Sequence, residues 1–286
     1  MKMDFSLELP ELHIGQGWNT NFIQELEIRI SPRFLAYKPN LEINIETSNY
    51  RLKTATSMAE LLAVFKLRYD NFLAKSDANR EIKYDVDEYD HLCDHLIIQD
   101  KTSEEIVGTY RIFCSKFITS FYSQDEFEMS EFISQDCEKI ELGRACIEVH
   151  HRNGNVIDLL WKGIMNYMQR TNSRYLFGCT SVYFTEPEKA LSLYRLMEQK
   201  GWISQEFNIK PTLKHNMNLE SLTCNELDNS VAIKDYIPPL LKSYITAGAK
   251  IHGYPALDRE LECVDFLTIL DIFEMSSMFK RRYMRS

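Results

Sequence analysis

Glycine and proline are scarce: 10 Gly and 8 Pro in 286 residues leave little room for flexible linkers or low-complexity tracts, and no internal repeat is visible. No apolar run approaches the roughly 18 residues of a spanning helix. Met1–Pro10 carries acids where a secretory leader has a basic region followed by an apolar stretch. These two absences lead to the expectation of a cytoplasmic chain. Basic excess is missing as well. Lys and Arg number 33 against 42 Asp and Glu, a formal net charge of −9, which argues against a nucleic-acid footprint spread over a whole binding face. There is no G-x-S-x-G, no Walker loop and no G-x-G-x-x-G. The seven cysteines (Cys93, Cys114, Cys137, Cys146, Cys179, Cys224, Cys263) are odd in number and scattered, which fits reduced thiols used as small core residues rather than a disulfide framework.

What is present suffices for a globular core: 44% of residues are hydrophobic and 26% charged. Ser57 and Glu60 form a capping box ahead of a helix over 58–73. Strands are expected at 93–99 and 106–113 around the polar turn 100–105, at 139–149, at 175–181 and at 263–270. Residues 116–137 read as an aromatic, acidic insertion. Helices are expected at 156–170, at 190–199 with Pro187 in its first turn and Gly201 as its stop, and near 238–249. The order gives an α+β fold of mostly antiparallel strands with one β-α-β crossover. Residues 1–45 are expected as an extension packed on the main domain, with strand-like pieces such as 41–45. Residues 46–275 are expected as that domain, and 276–286 as a basic tail.

The most informative stretch is Glu141-Leu-Gly-Arg-Ala-Cys-Ile-Glu-Val149, followed by His150-His-Arg-Asn-Gly-Asn155 and a helix. Strand alternation puts Glu141, Gly143 and Ala145 on one face and Leu142, Arg144 and Cys146 on the other. Gly143 permits a bulge that would free backbone amides to receive a carbonyl oxygen, and the following helix N-terminus suits a phosphate. The plain alternative is an ordinary strand-turn-helix with a surface Glu–Arg pair. His91, Cys93 and His95 alternate beside Asp94 with metal-like spacing, but no second Cys/His pair accompanies them, and no metal is expected. Cys179 or Cys146 as a covalent nucleophile, with His150 or His151 as base, is disfavoured because buried thiols are commonly inert.

Taken together, His95-Leu-Ile-Ile98, Val107-Gly-Thr-Tyr-Arg111, Glu141-Leu-Gly-Arg144, Leu159-Leu-Trp-Lys-Gly163, Leu176-Phe-Gly-Cys179, Gly253-Tyr-Pro-Ala-Leu-Asp-Arg-Glu260 and Val264-Asp-Phe-Leu267 resemble the acyl-carrier-protein-dependent branch of the GNAT N-acyltransferases. That branch holds the ornithine-lipid synthases (often labelled hemolysin-like), the long-chain N-acyl amino acid synthases and, more distantly, the acyl-homoserine lactone synthases. The resemblance covers about residues 50–275. It implies a GNAT fold, with a mixed, mostly antiparallel sheet flanked by helices. Arg68 and Phe72 match the family's R-Y-x-x-F helix motif, and Asp87 and Asp90 its acidic loop. Arg111, Glu141 and Arg144 match the remaining charged positions. The resemblance implies that these acids and arginines form an ion-pair network beside the acyl-transfer cleft.

By this likeness the chain is expected to move a long-chain acyl group from acyl-carrier protein to the α-amine of ornithine or a similar amino acid, with no permanently bound cofactor. His151–Val156 keeps only one glycine of the usual coenzyme A loop. An acyl-phosphopantetheine arm on carrier protein is therefore the expected donor ahead of acyl-coenzyme A, held by Cys146, Ile147, Arg152, Gly154, Asn155 and Val156. Glu141 is the first choice of base, with Arg144 and Arg111 beside it; Tyr194 resembles the tyrosine that protonates the leaving thiolate. Arg68, Phe72, Asp87 and Asp90 are expected around the acceptor. Arg152, Lys162, Arg170 and Arg174, with Lys280, Arg281, Arg282 and Arg285, offer basic surface to an acidic carrier protein or to an anionic membrane at its periphery. Phe113, Phe117, Phe121, Trp161 and Phe177 are candidates for an acyl tunnel. The rival readings are an acyl-homoserine lactone synthase using S-adenosylmethionine, against which the Gly253–Glu260 region speaks, and a catalytically silent scaffold that binds carrier protein or lipid.

Overall fold

A computed structural model describes residues 20–73, 83–222 and 235–284. Glu81 of the acidic loop, Cys224 and Arg285 lie outside these residues. In chain order the elements are α1 (Thr20–Ile30), α2 (Pro32–Leu35), β1 (Asn44–Glu46), β2 (Tyr50–Thr54), α3 (Met58–Phe72), β3 (Asp94–Asp100) and β4 (Ile106–Cys114), then α4 (Ser123–Glu126), β5 (Phe127–Glu128), α5 (Ser130–Ile133), β6 (Glu138–Ile147), α6 (Gly154–Thr171) and β7 (Ser173–Val182). These are followed by α7 (Pro187–Gln199), β8 (Ile203–Ser204), β9 (Lys210–Pro211), α8 (Pro239–Ala247), β10 (Lys250–His252), β11 (Ala256–Asp258), β12 (Cys263–Asp271) and α9 (Ser277–Tyr283).

Local chemistry explains the main helices. Ser57 accepts from the Glu60 amide while Glu60 accepts from the Ser57 amide, so both ends of the capping box close around the start of α3. Asn153 caps α6 by accepting from the amides of Asn155 and Val156, and Asn172 ends that helix at φ 56°. Pro187 begins α7, where a missing amide donor costs nothing.

The main sheet runs β1-β2-β3-β4-β6-β7-β12-β10-β8, with β11 added on β12. Most neighbours are antiparallel; β6 and β7 are the parallel pair joined by α6, and β8 also runs parallel to β10. One sheet face packs Leu52, Leu96, Ile98, Ile140 and Leu176 against Leu160, Ile164 and Met168 of α6. The opposite face meets α3 through Ile97, Leu61 and Phe65 and the 116–137 insertion through Phe113, Phe177, Phe121 and Phe132.

Both termini differ from expectation. Within the extension residues 20–35 are helical, while the strand-like piece expected at 41–45 is only partly strand, as β1. The helices are held because Ile28 packs with Leu61 and Phe65, and β1 extends the sheet beside β2. The basic tail is the helix α9, whose Phe279 joins the core against Trp161. Its Arg282 pairs with Asp158 and its Lys280 donates to the Phe273 carbonyl.

Two backbone features place the site. Thr109 faces Cys146 and Arg111 faces Gly143, so two residues of β6, Arg144 and Ala145, stand opposite Tyr110 alone. This is a β-bulge. It lies one residue beyond Gly143, and its strain falls on Arg144 at φ 49°. The second feature is a fork. β6 and β7 pair only from Glu138 with Ser173 to Glu141 with Phe177 and diverge beyond. Gly178 stands at the crotch, where a Cβ would lie 2.2 Å from the Leu142 carbonyl oxygen.

Candidate active site

Three arginines and three aspartates knit α3, the 83–93 segment, β4 and β6 together. Arg68 donates from Nε to Asp85 at 2.8 Å and from Nη1 to Asp90 at 2.6 Å. Arg111 Nη1 reaches Asp87 at 2.5 Å and Asp90 at 3.2 Å. Arg144 lies 3.4 Å from Asp85 and 3.3 Å from Asp87. Strand alternation alone would have sent Arg144 to the opposite face from Glu141; the bulge turns it into this network. Burial by itself would raise the Asp90 carboxyl, yet Arg68 and Arg111 hold it far below the ordinary carboxylate range. The expected ion-pair network is therefore present. Direct acceptor contact by Arg68 and Asp90 is not, because both are fully buried and, with Asp87, they border neither of the cavities described below.

Glu141 is 2% exposed. Its Oε2 accepts from the Tyr122 amide at 2.8 Å, and its Oε1 accepts from the Ser123 amide at 2.7 Å and from the Ser123 hydroxyl. Burial pushes its carboxyl above the ordinary value, against the opposing pull of the Ser123 bonds and Arg111. The side chain borders a cavity but has both oxygens occupied.

Two cavities meet at the bulge. The larger, about 1250 Å³, lies between the α6 N-terminus, α3 and α8; Phe72, Ile147, Ile157, Leu160 and Leu240 give it an apolar wall, and Asn71, Arg152 and Arg259 lie on its lining. The smaller, about 220 Å³, is bordered by Arg111, Glu141, Gly143, Arg144, Asp258 and Asp265. Phe72, Tyr110, Ala145 and Tyr183 belong to both. The Tyr110 hydroxyl is 2.6 Å from that of Tyr244.

Of the expected donor residues, Cys146, Ile147, Arg152 and Gly154 line the larger cavity. Asn155 and Val156 do not: Val156 is core, and both amides are taken by Asn153 Oδ1, a cap acceptor that the sequence reading overlooked. Arg152 donates to Asn71 and to the Ile147 carbonyl. Tyr194 is a correction. It is buried against Tyr254, with ring centroids 4.6 Å apart, in the cluster beneath α7, and it borders neither cavity. Of the five tunnel aromatics only Phe113 borders the smaller cavity; Phe121 and Phe177 are core, Trp161 packs on α9, and Phe117 is on the surface.

The metal-like run is also divided. Asp94 turns away to accept from Tyr167 at 2.7 Å, and His91 packs on Phe34. Cys93 and His95 remain 3.6 Å apart beside Asp90, with burial lowering His95 to about 4. Arg68 and Arg111 already occupy the nearby carboxylate, which disfavours a cation there. Burial pushes the Cys146 thiol up to about 12 and that of Cys179 well above its ordinary value, so neither suits a nucleophile.

One group escaped the sequence reading: Asp258, Asp265 and Glu126, close to Glu141. Burial, with Asp265 and Asp258 nearby, pushes Glu126 up to about 9, and burial pushes Asp265 up to about 6. The signal was a lone Asp inside Cys263-Val-Asp-Phe-Leu-Thr-Ile-Leu270, because a charge inside an apolar strand is too costly to be idle.

Residues 67–162 match the family model described as an acetyltransferase (GNAT) domain. Two curated relatives are called L-ornithine N(alpha)-acyltransferase. One, from Rhizobium meliloti (strain 1021), is 28% identical over 82% of this chain and 84% of the relative. The other, from Brucella abortus (strain 2308), is 26% identical over 81% and 88%. The fold is of the GNAT type. Among solved structures, the N-acyl amino acid synthase FeeM from uncultured soil microbes aligns at TM-score 0.44 and 9% identity over 85% of this chain and 96% of that one. No described helix is long and apolar enough to cross a membrane.

Proposed function

We propose that the protein transfers a long-chain acyl group from a phosphopantetheine thioester to the α-amine of ornithine, giving an N-acyl amino acid. The observation that carries this reading is the pairing of two cavities through one gap in the sheet: a large one with an apolar wall and a small, charge-lined one, meeting at the bulge of β6. The apolar wall suits an acyl chain, and the names of the curated relatives supply the acceptor.

In this reading the donor arm enters past Arg152 and Gly154 and lies in the fork between β6 and β7. The thioester carbonyl then meets backbone amides taken out of the regular ladder at Arg144 and Ala145, which would stabilise the developing oxyanion. The neutral α-amine attacks the carbonyl carbon; the C–N bond forms and the C–S bond breaks, releasing the pantetheine thiol. Carrier protein is the preferred donor, because Asn153 already takes two amides of the α6 N-terminus and the remaining cradle fits one phosphodiester better than a pyrophosphate. Glu141 acts as a positioning residue that holds Tyr122 and Ser123 against the chamber, since three hydrogen bonds already fix both of its oxygens.

The test uses purified full chain with ornithine and a long-chain acyl group on carrier protein or on coenzyme A, read by mass spectrometry. N-acylornithine is the expected product, formed faster from the carrier protein. Equal rates from the two donors would remove the carrier-protein preference, and no acylated amino acid from either would remove the reading. Glu141→Gln should lower kcat by about 10²-fold while the residual activity keeps the acid limb of its pH profile; loss of that limb would instead make Glu141 the base.

A further inference from the structure

The small chamber has guanidinium groups on one side and, among the described residues, carboxylates without ion-pair partners on the other. Arg111 and Arg144 flank Gly143 next to the bulge. Arg111 Nε has no hydrogen-bond partner among the described residues, and Arg144 Nε makes no hydrogen bond there beyond its 3.4 Å ion pair with Asp85, although the outer nitrogens of both are paired with Asp87 and Asp90. Across the fork, Asp265 stands on β12 opposite Ser181 of β7, and Asp258 ends the neighbouring β11. Asp265 is 3% exposed and borders the chamber; its hydrogen-bonding neighbours are Ser181 and the protonated Glu126 carboxyl, and no cation among the described residues pairs with it. Asp258 accepts from the amides of Glu260 and Leu261 through Oδ1. None of Glu126, Glu141, Asp258 and Asp265 has an ion-pair partner within 4.0 Å among the described residues, whereas the arginine network is matched three against three.

A buried carboxylate without a cationic partner is costly. One facing a cavity whose far wall presents guanidinium groups marks a place for a ligand that carries both signs. We propose that Asp265, with Asp258 beside it, binds the side-chain ammonium of a basic amino-acid acceptor, while Arg111 and Arg144 receive its α-carboxylate. This rests on the acyl-transfer reading above. The layout decides which amine goes where. The α-amine must meet the thioester at the fork beside the arginines, and only the far end of the acceptor then reaches β12. Glu126 lies behind the chamber without bordering it, and because burial keeps its carboxyl protonated up to about 9 it leaves the negative charge to Asp265 and Asp258.

The alternative occupant is a divalent cation, since Asp258, Cys263 and Asp265 lie close enough together to ligate one. Burial pushes the Cys263 thiol well above its ordinary value, which makes it a poor ligand.

The experiment compares ornithine with norvaline, which has the same carbon chain but no terminal amine, in wild type, Asp265→Asn and Asp258→Asn. Turnover is measured with a long-chain acyl-carrier protein, and acceptor binding without donor by calorimetry. Wild type should bind ornithine more tightly than norvaline, and Asp265→Asn should lower the ornithine-over-norvaline ratio of kcat/KM by about tenfold or more, through KM; Asp258→Asn should act in the same direction. Equal use of both acceptors by wild type, or an equal loss for both acceptors in Asp265→Asn, would overturn the subsite. So would activity removed by a chelator and restored by a divalent metal. Calorimetry keeps the two readings apart: ornithine binding lost in Asp265→Asn supports the subsite even where no acylated product forms.

Discussion

Arg68 shows how a charge survives in the core. Its guanidinium is fully buried and is paid for by Asp85 and Asp90 at 2.6 to 2.8 Å, with Asp90 bridging onward to Arg111. Removing one member leaves the others buried and uncompensated. Arg68→Met should therefore cost about 3–5 kcal/mol in denaturant unfolding, and a loss below about 1 kcal/mol would show that the network is dispensable. The residue pairings themselves were not legible. Arg68, Asp87, Asp90, Arg111 and Arg144 stood out in the sequence as charged positions, but their partners are set by three segments far apart in the chain. The reading placed Arg68 and Asp90 on the acceptor, and burial removes them from it.

At the scale of elements, the fork depends on one glycine. Gly178 lets β7 pass the Leu142 carbonyl at a separation no side chain tolerates. Gly178→Ala should force β6 and β7 apart at the point where pairing now ends, lowering Tm and abolishing activity together, as measured by calorimetry and product formation. An unaltered Tm would mean that the strands close elsewhere. Periodicity and caps made the elements around this fork readable: the 58–73 expectation became 58–72, and 139–149 became 138–147. A bulge near Gly143 was legible too, because glycine advertises it. Its exact seat at Arg144 was not, since the register is fixed by Thr109 and Arg111 on the adjacent strand. The helices at 20–35 carry too short a pattern to be told from strand pieces without the neighbours they pack on.

For the whole molecule, the buried acids predict a pH dependence. Burial and neighbouring carboxylates push Glu126 from an ordinary 4.5 up to about 9. The unfolded chain loses this proton near 4.5 while the folded chain keeps it, so the contribution to stability is full below about 4.5 and declines as pH rises toward 9. Tm followed from pH 5 to 9 should fall, and Glu126→Gln should flatten that fall; parallel curves for the two proteins would refute the assignment.

By itself the sequence determined the α+β order, the β-α-β crossover, the capped helices and the family likeness, because these follow from periodicity, capping and motif spacing along a few neighbouring residues. Only the tertiary structure decided that Tyr194 is core, that α9 seals Trp161, and that Asp258 and Asp265 share a chamber with Arg111 and Arg144. Those facts depend on which distant strands lie side by side, and burial, not residue type, then sets whether a charge is free to meet a ligand.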